Sequence, residues 1–152
     1  MAQYFLKFAK CVCMKDIYFN LTTIGDVGKQ VASLLRPDLP LLLYGQMGAG
    51  KTTLTKYIIA ALGCEETVTS PTFTIMQSYQ TTKHTLWHVD LYRLEGGVQQ
   101  IGELGLNELN IGNIMIIEWP ERLDSRMFSK HIKGDLSVEG NEVRHLVLEI
   151  IE

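Results

Sequence analysis

Gly45-Gln46-Met47-Gly48-Ala49-Gly50-Lys51-Thr52 follows the spacing G-x-x-x-x-G-K-[ST], directly after the apolar run Leu41 to Tyr44 and before a helical pattern over Thr53 to Leu62. Glycine-rich backbone at this spacing turns successive amides toward one centre, and the helix that follows adds the positive end of its dipole. Such a concavity binds phosphate. Gly45, Gly48, Ala49, Gly50 and Thr53 would supply loop and helix-start contacts, Lys51 a point charge on the β and γ phosphates, and Thr52 a hydroxyl for Mg2+. The alternative, a glycine-rich turn that binds nothing, explains neither the lysine nor the strand and helix that bracket the loop.

A phosphate loop needs a carboxylate to help hold the metal, usually at the carboxyl end of a neighbouring buried strand. Two residues qualify: Glu118 directly follows Ile114 to Ile117, and Asp90 closes Leu86-Trp87-His88-Val89. Either could be a solvated strand-end acid, and the residues alone do not divide the roles. Thr72, in the Pro-containing loop Thr69 to Phe73, occupies the place where nucleotide switches carry a γ-phosphate sensor, or else its hydroxyl only satisfies local backbone. Trp119, between Glu118 and Pro120, could stack on a base or sugar or be a half-buried packing residue. His88 reads as packing or hydrogen-bonded support more readily than as a base. Arg93, Arg122 and Arg126 stay open among phosphate contact, partner contact and solvated surface. The chain contains neither D-x-x-G after the switch-like loop nor N-K-x-D, so adenine is favoured over guanine as the base.

The elements that must position these residues follow from pattern. Ile17 to Leu21 predicts a strand. Thr22 or Thr23 then caps a helix carrying Val27, Val31, Leu34 and Leu35 that ends before Pro37. Strands are expected at Thr74 to Tyr79 and Thr85 to Val89, a weak helical stretch after Gly96-Gly97 to about Asn110, and a central buried strand at Ile114 to Ile117. Leu136 and Val138, then Val143 to Ile150, flank Glu139-Gly140-Asn141-Glu142 as a terminal hairpin. Together they predict an α/β P-loop NTPase fold, a mostly parallel central sheet flanked by helices.

The 152 residues fit one domain, with 46% hydrophobic and 20% charged residues typical of soluble globular proteins. A net charge of -3 argues against a broad basic surface for nucleic acid, so neither DNA nor direct tight RNA binding is expected. Cys11, Cys13 and Cys64 form neither a disulfide framework nor a zinc pattern, which suits a reducing cytoplasm. No window offers the roughly 20 apolar residues of a membrane span, and the N terminus lacks the apolar core of a signal peptide.

Four segments together resemble the TsaE (YjeE) family of bacterial ATPases: Gly45 to Thr53, Ser70-Pro71-Thr72-Phe73, His88-Val89-Asp90-Leu91-Tyr92-Arg93-Leu94, and Glu118-Trp119-Pro120-Glu121. The resemblance runs from about Ile17 to the C terminus. Residues 1–13 have no counterpart in the pattern and read as a tail or an upstream start, with 14–152 as one ATPase domain. The resemblance implies an ATP-binding and ATP-hydrolysing component in forming N6-threonylcarbamoyladenosine in tRNAs that read codons beginning with A. It also implies partner proteins TsaD and TsaB, with tRNA reached only through the complex, and ATP/ADP and Mg2+ as ligands. By the same resemblance Thr52 and Glu118 hold Mg2+, Asp90 is needed for hydrolysis, Thr72 belongs to the switch, and Trp119 lies by the nucleotide. Two other readings share the phosphate loop: a small-molecule kinase, and a nucleotide-loaded binding module that does not hydrolyse.

Overall fold

The computed structural model describes residues 11–71 and 73–152, with side chains from residue 14 onward; Thr72 and residues 1–10 lie outside the described residues. Among the described residues seven strands form one sheet: β1 (Cys11–Phe19), β2 (Leu41–Tyr44), β3 (Met76–Gln80), β4 (Thr85–Asp90), β5 (Ile114–Glu118), β6 (His131–Val138) and β7 (Arg144–Ile151), in the order β1-β7-β6-β2-β5-β4-β3. The middle four, β6, β2, β5 and β4, run parallel to one another. At the two edges, β3 joins β4 antiparallel, and β7 and β1 extend β6 antiparallel. This is the α/β architecture that the spacing predicts, with the parallel part where both faces are covered.

Alternation along the parallel strands divides the core in two. Leu41, Leu43, Leu86, Ile114 and Ile116 pack with Val27 and Val31 of helix α1 (Ile24–Ala32) and Leu54 and Ile58 of helix α2 (Lys51–Ala61). On the other face Leu42, Val89, Met115 and Ile117 pack with Ile101 of α3 (Gly97–Glu103) and Leu106 of α4 (Leu106–Asn110). All five residues of β5 are buried, as a strand covered on both faces requires. Among the described residues no helix is long and apolar enough to cross a membrane.

The differences from the sequence pattern have local causes. The first strand ends at Phe19 because Asn20 Oδ1 accepts from the amides of Thr22 at 2.9 Å and Thr23 at 3.3 Å, which turns the chain out of the sheet before Leu21. Thr23 occupies the N-cap position of α1 without capping it, since its hydroxyl accepts from the Asn20 amide instead. Leu34 and Leu35 continue past α1 in a turn and still pack on the core. β3 begins two residues later than the pattern implies, because Thr74 and Ile75 both donate to the Pro71 carbonyl in a tight turn. The stretch after Gly97 is two helices, broken where Gly105 takes a φ of 67°. At the other end, β1 reaches back to Cys11, whose backbone lies opposite Ile151, so three residues of the expected tail join the sheet.

Helices α1 and α2 touch closely enough to exclude a side chain. A Cβ on Gly28 would lie 2.9 Å from the backbone C and O atoms of Tyr57, whereas one on Gly25 would meet only the Tyr57 ring at 3.9 Å. Two glycines of one helix therefore predict opposite signs. Gly25→Ala is expected to stabilise by up to about 0.5–1 kcal/mol from helix propensity. Gly28→Ala should lose about 1–3 kcal/mol to overpacking despite the same gain. Urea unfolding of the two variants against wild type measures both.

Candidate functional site

Strand register assembles the site. Leu43 of β2 pairs with Glu118 of β5, and Glu118 pairs with Asp90 of β4. The phosphate loop, which leaves β2 after Tyr44, therefore opens at the same carboxyl edge as both acids. A cavity of about 430 Å³ lies there, lined by Gly48, Gly50, Lys51, Thr52, Thr53, Asp90, Tyr92, Arg93, Glu118 and Trp119, with Met47 at its rim. Sequence separations of 39 and 66 residues from Lys51 to Asp90 and from Thr52 to Glu118 are thus closed by three parallel strands.

Within the loop Gly48 and Gly50 have φ values of 80° and 101°, a region where a Cβ is strained, and Gly50 caps α2. Lys51 is 5% exposed; its Nζ donates to the carbonyls of Gly45 at 2.5 Å and Gln46 at 3.0 Å. The same ammonium lies 4.2 Å from the centre of the Trp119 ring. Burial pushes the Lys51 amine below its ordinary value, against the opposing pull of Glu118, Glu121 and Asp90. Among the described residues no carboxylate reaches it at salt-bridge distance, so a buried cation faces the cavity with only carbonyls and a ring around it.

Glu118 is 2% exposed, and both of its oxygens are engaged. Oε2 accepts from the Thr52 hydroxyl at 2.9 Å, and Oε1 accepts from His88 Nε2 at 2.7 Å. His88 is fully buried one register step behind Glu118 on the same face of the sheet. It is thus a hydrogen-bond partner of the carboxylate. A hydroxyl and a carboxylate oxygen held together are hard donors suited to Mg2+, which takes one or two protein carboxylates and completes its shell with water and phosphate oxygens. Among the described residues no cluster of three or more His, Cys, Asp or Glu is placed to hold a metal ion.

Asp90 stands beside Glu118 without a hydrogen bond between them; its Oδ1 accepts from the Tyr92 amide at 3.0 Å. Burial first, then the negative charge of Glu118, raises its carboxyl above the ordinary value, while the Tyr92 amide, His88 and Lys51 oppose. The Asp90 amide donates to the Ile75 carbonyl at 2.8 Å, which ties the turn before β3 to the acid. Two bulky residues beside this cavity occupy left-handed backbone: Ile75 with φ 65° and Trp119 with φ 59°. Each conformation costs on the order of 1–3 kcal/mol, and such strain clusters at functional sites.

The three arginines separate. Arg122 donates to the carbonyls of Leu94 and Tyr92 and braces the Leu91 to Leu94 segment. Arg126 forms an exposed local pair with Asp124. Arg93 alone lines the cavity, with its guanidinium over the Phe73 ring at 4.8 Å. Sequence reasoning missed Arg144, 95 residues from the loop, whose Nε donates to the Ala49 carbonyl at 2.9 Å. Its position in an alternating strand of the terminal hairpin carried no signal of that contact.

Residues 20–146 match the family model described as "Threonylcarbamoyl adenosine biosynthesis protein TsaE". The chain belongs to the TsaE family. Relatives named as tRNA threonylcarbamoyladenosine biosynthesis protein TsaE include one from Rickettsia bellii, 44% identical over 78% of this chain and 83% of the relative, and one from Bacillus subtilis, 31% identical over 82% and 78%. A Rickettsia felis relative is 39% identical over 74% of this chain; that match spans 66% of the relative's own length. The crystal structure of YdiB from Bacillus subtilis superposes with a TM-score of 0.66 at 23% identity, covering 92% of this chain and 88% of that one, and shares the P-loop NTPase-like fold. The matched region of this TsaE-family chain contains the phosphate loop, both acids, His88 and Trp119.

The raised Asp90 carboxyl predicts a sign. A carboxyl whose folded value exceeds its unfolded value of 3.8 contributes stability below that pH and loses it as pH rises through the folded value. Asp90→Asn removes that loss. Urea midpoints without nucleotide should coincide in acid and separate progressively toward neutral pH, with Asp90→Asn the more stable protein.

Proposed function

We propose that this TsaE-family protein binds ATP with Mg2+, hydrolyses it slowly by itself, and serves as the ATPase component of the machinery that forms N6-threonylcarbamoyladenosine in tRNA. The observation that carries the reading is the buried Lys51 ammonium facing a cavity whose far wall is the Thr52–Glu118 pair. An anion of several charges satisfies the cation and the loop amides together, and a metal held at Thr52 and Glu118 balances the rest. Bound Mg2+ supplies charge neutralisation on the β and γ phosphate oxygens.

The chain's own residues divide the work in this reading. Loop amides and Lys51 hold the phosphates, and Thr52 with Glu118, kept in place by His88, orients the metal. Asp90, with its carboxyl raised by burial, accepts a proton from the water that attacks the γ phosphorus as the bond to the β-phosphate oxygen breaks. Thr72, in the loop strapped to Asp90 through Ile75, reports the presence of the γ phosphate. The output is conformational, read by TsaD and TsaB, and tRNA is met only through them in the cytoplasm. Phe73, 85% exposed beneath Arg93, and Tyr92, 37% exposed, support a docking face beside that loop. Hydrolysis resets the complex between turnovers.

Calorimetry and phosphate release test the assignment together. Lys51→Ala should weaken MgATP at least tenfold, or about 1.4 kcal/mol. Glu118→Gln should remove the Mg2+-dependent part of the affinity. Asp90→Asn should bind MgATP within about twofold of wild type and lose roughly 100-fold or more in turnover, because a proton acceptor acts only in the transition state. Equal losses of affinity in the two acid variants would merge them into one metal site.

In reconstituted tRNA modification with TsaB, TsaD and the enzyme that forms the threonylcarbamoyl-adenylate, Asp90→Asn should support a single round and fail over many. Sustained turnover with that variant would remove the resetting role. Phosphate appearing only in step with a phosphorylated small molecule would favour a kinase, and nucleotide binding with no release under any condition would favour a binding module.

A further inference from the structure

Arg36, Arg122, Arg126 and Arg144 each donate to a carbonyl or carboxylate of the protein. Arg93 does not. Among the described residues its guanidinium has no protein acceptor and rests on the Phe73 ring, 4.8 Å from the ring centre. It stays there although Asp90 and Glu118 line the same cavity. We propose that Arg93 is a catalytic residue of ATP hydrolysis, a guanidinium that moves from the Phe73 ring onto the γ phosphate in the transition state, and that the Phe73 contact holds it back in the isolated protein.

The inference rests on the ATPase reading above and adds a cation to it. As the water oxygen bonds to the γ phosphorus, the bond to the bridging oxygen breaks, its electron pair leaves on ADP, and a water proton passes to Asp90. Negative charge is then spread over the phosphoryl and bridging oxygens. Of the side chains lining the cavity only Lys51 and Arg93 are cationic, and Lys51 is held at the start of the loop by the Gly45 and Gln46 carbonyls. Arg93 is the cation on the Asp90 side. Its planar fork bonds two phosphate oxygens at once, which a lysine does not do. A guanidinium paired with Asp90 would hold that carboxyl low and spoil it as a proton acceptor; the charges that act on Asp90 are instead those of Glu118, His88 and Lys51.

The backbone under Arg93 is fixed while its side chain is not. Arg122 donates at 3.3 Å to the carbonyls of Tyr92 and Leu94, on either side of Arg93. The Tyr92 amide donates to Asp90 Oδ1, the Leu91 amide donates to the Glu118 carbonyl at 3.2 Å, and Leu91 and Leu94 are buried. Arg93 is thus mounted at a set place relative to both acids, with an exposed side chain that only a ring contact restrains. Such a contact at an exposed site shifts an equilibrium by about two- to fivefold, enough to bias the resting position and weak enough to yield. The Phe73 ring is 85% exposed and lies outside the lining of the cavity. A partner surface that covers this ring frees the guanidinium, so docking at the face described above couples to hydrolysis through one side chain.

The test measures phosphate release at saturating MgATP and MgADP affinity by calorimetry, on the full chain without partners. Arg93→Ala should bind MgADP within about twofold of wild type and lose at least about tenfold in turnover, because the guanidinium meets the phosphate only in the transition state. Phe73→Ala should hydrolyse about two- to fivefold faster than wild type, and the gain should vanish in the double variant with Arg93→Ala. A merely structural Arg93 would not produce that dependence. Turnover of Arg93→Ala within about twofold of wild type, MgADP affinity falling as far as turnover, or a Phe73→Ala rate that is not raised or stays raised without Arg93 would each overturn the proposal while leaving the ATPase intact. Failure of the wild type to bind MgADP or to release phosphate would instead remove the ATPase reading, and this inference with it.

Discussion

A carboxylate 2% exposed among apolar strands is unstable unless both oxygens are satisfied, and Glu118 has a partner for each: His88 on one side and Thr52 on the other. That requirement organises the site. It demands a histidine on the neighbouring parallel strand one step back, and it demands that α2 begin with its first hydroxyl pointing at the end of β5. Removing either partner would leave a buried charge partly unpaired. Among the described residues His88 Nδ1 has no hydrogen-bond partner, so the Nε2–H tautomer that the carboxylate requires leaves only a ring acceptor unsatisfied, the less costly of the two arrangements.

The sheet makes this arrangement reproducible. Three parallel strands in register bring the phosphate loop, Glu118 and Asp90 to one edge, and the fully buried β5 gives that edge a rigid base. The antiparallel hairpin β6–β7 is part of the same mechanism: β6 pairs directly with β2, and β7 carries Arg144 to the outer side of the phosphate loop. The loop is thus held from both faces, by Lys51 within and by Arg144 without. Against this frame, Ile75 and Trp119 hold left-handed backbone in two connections, one leading to Asp90 and the other leaving Glu118.

The two acids differ in environment as well as place. Glu118 is fixed by two side-chain hydrogen bonds, while Asp90 has one backbone amide and a carboxyl raised chiefly by burial. A carboxylate that is fully satisfied suits a constant structural task, and one that is under-satisfied suits proton transfer.

Local chemistry was legible from the sequence by itself: the phosphate loop and its flanking strand and helix, the buried run of β5, the terminal hairpin, and the two acids as strand-end residues. These are readable because they depend on spacing, φ freedom and apolar periodicity within a few residues. Tertiary structure alone decided that Asp90 and Glu118 are neighbours, that His88 supports Glu118, that Arg122 braces a loop while Arg93 lines the cavity, and that Arg144 closes the outer side of the phosphate loop. Each depends on strand order and register, which join residues 28 to 95 positions apart by backbone hydrogen bonds that the side-chain pattern does not encode. The early end of β1 and the late start of β3 differ in kind, because there the Asn20 side chain and the Pro71 carbonyl form local turns that outcompete strand pairing.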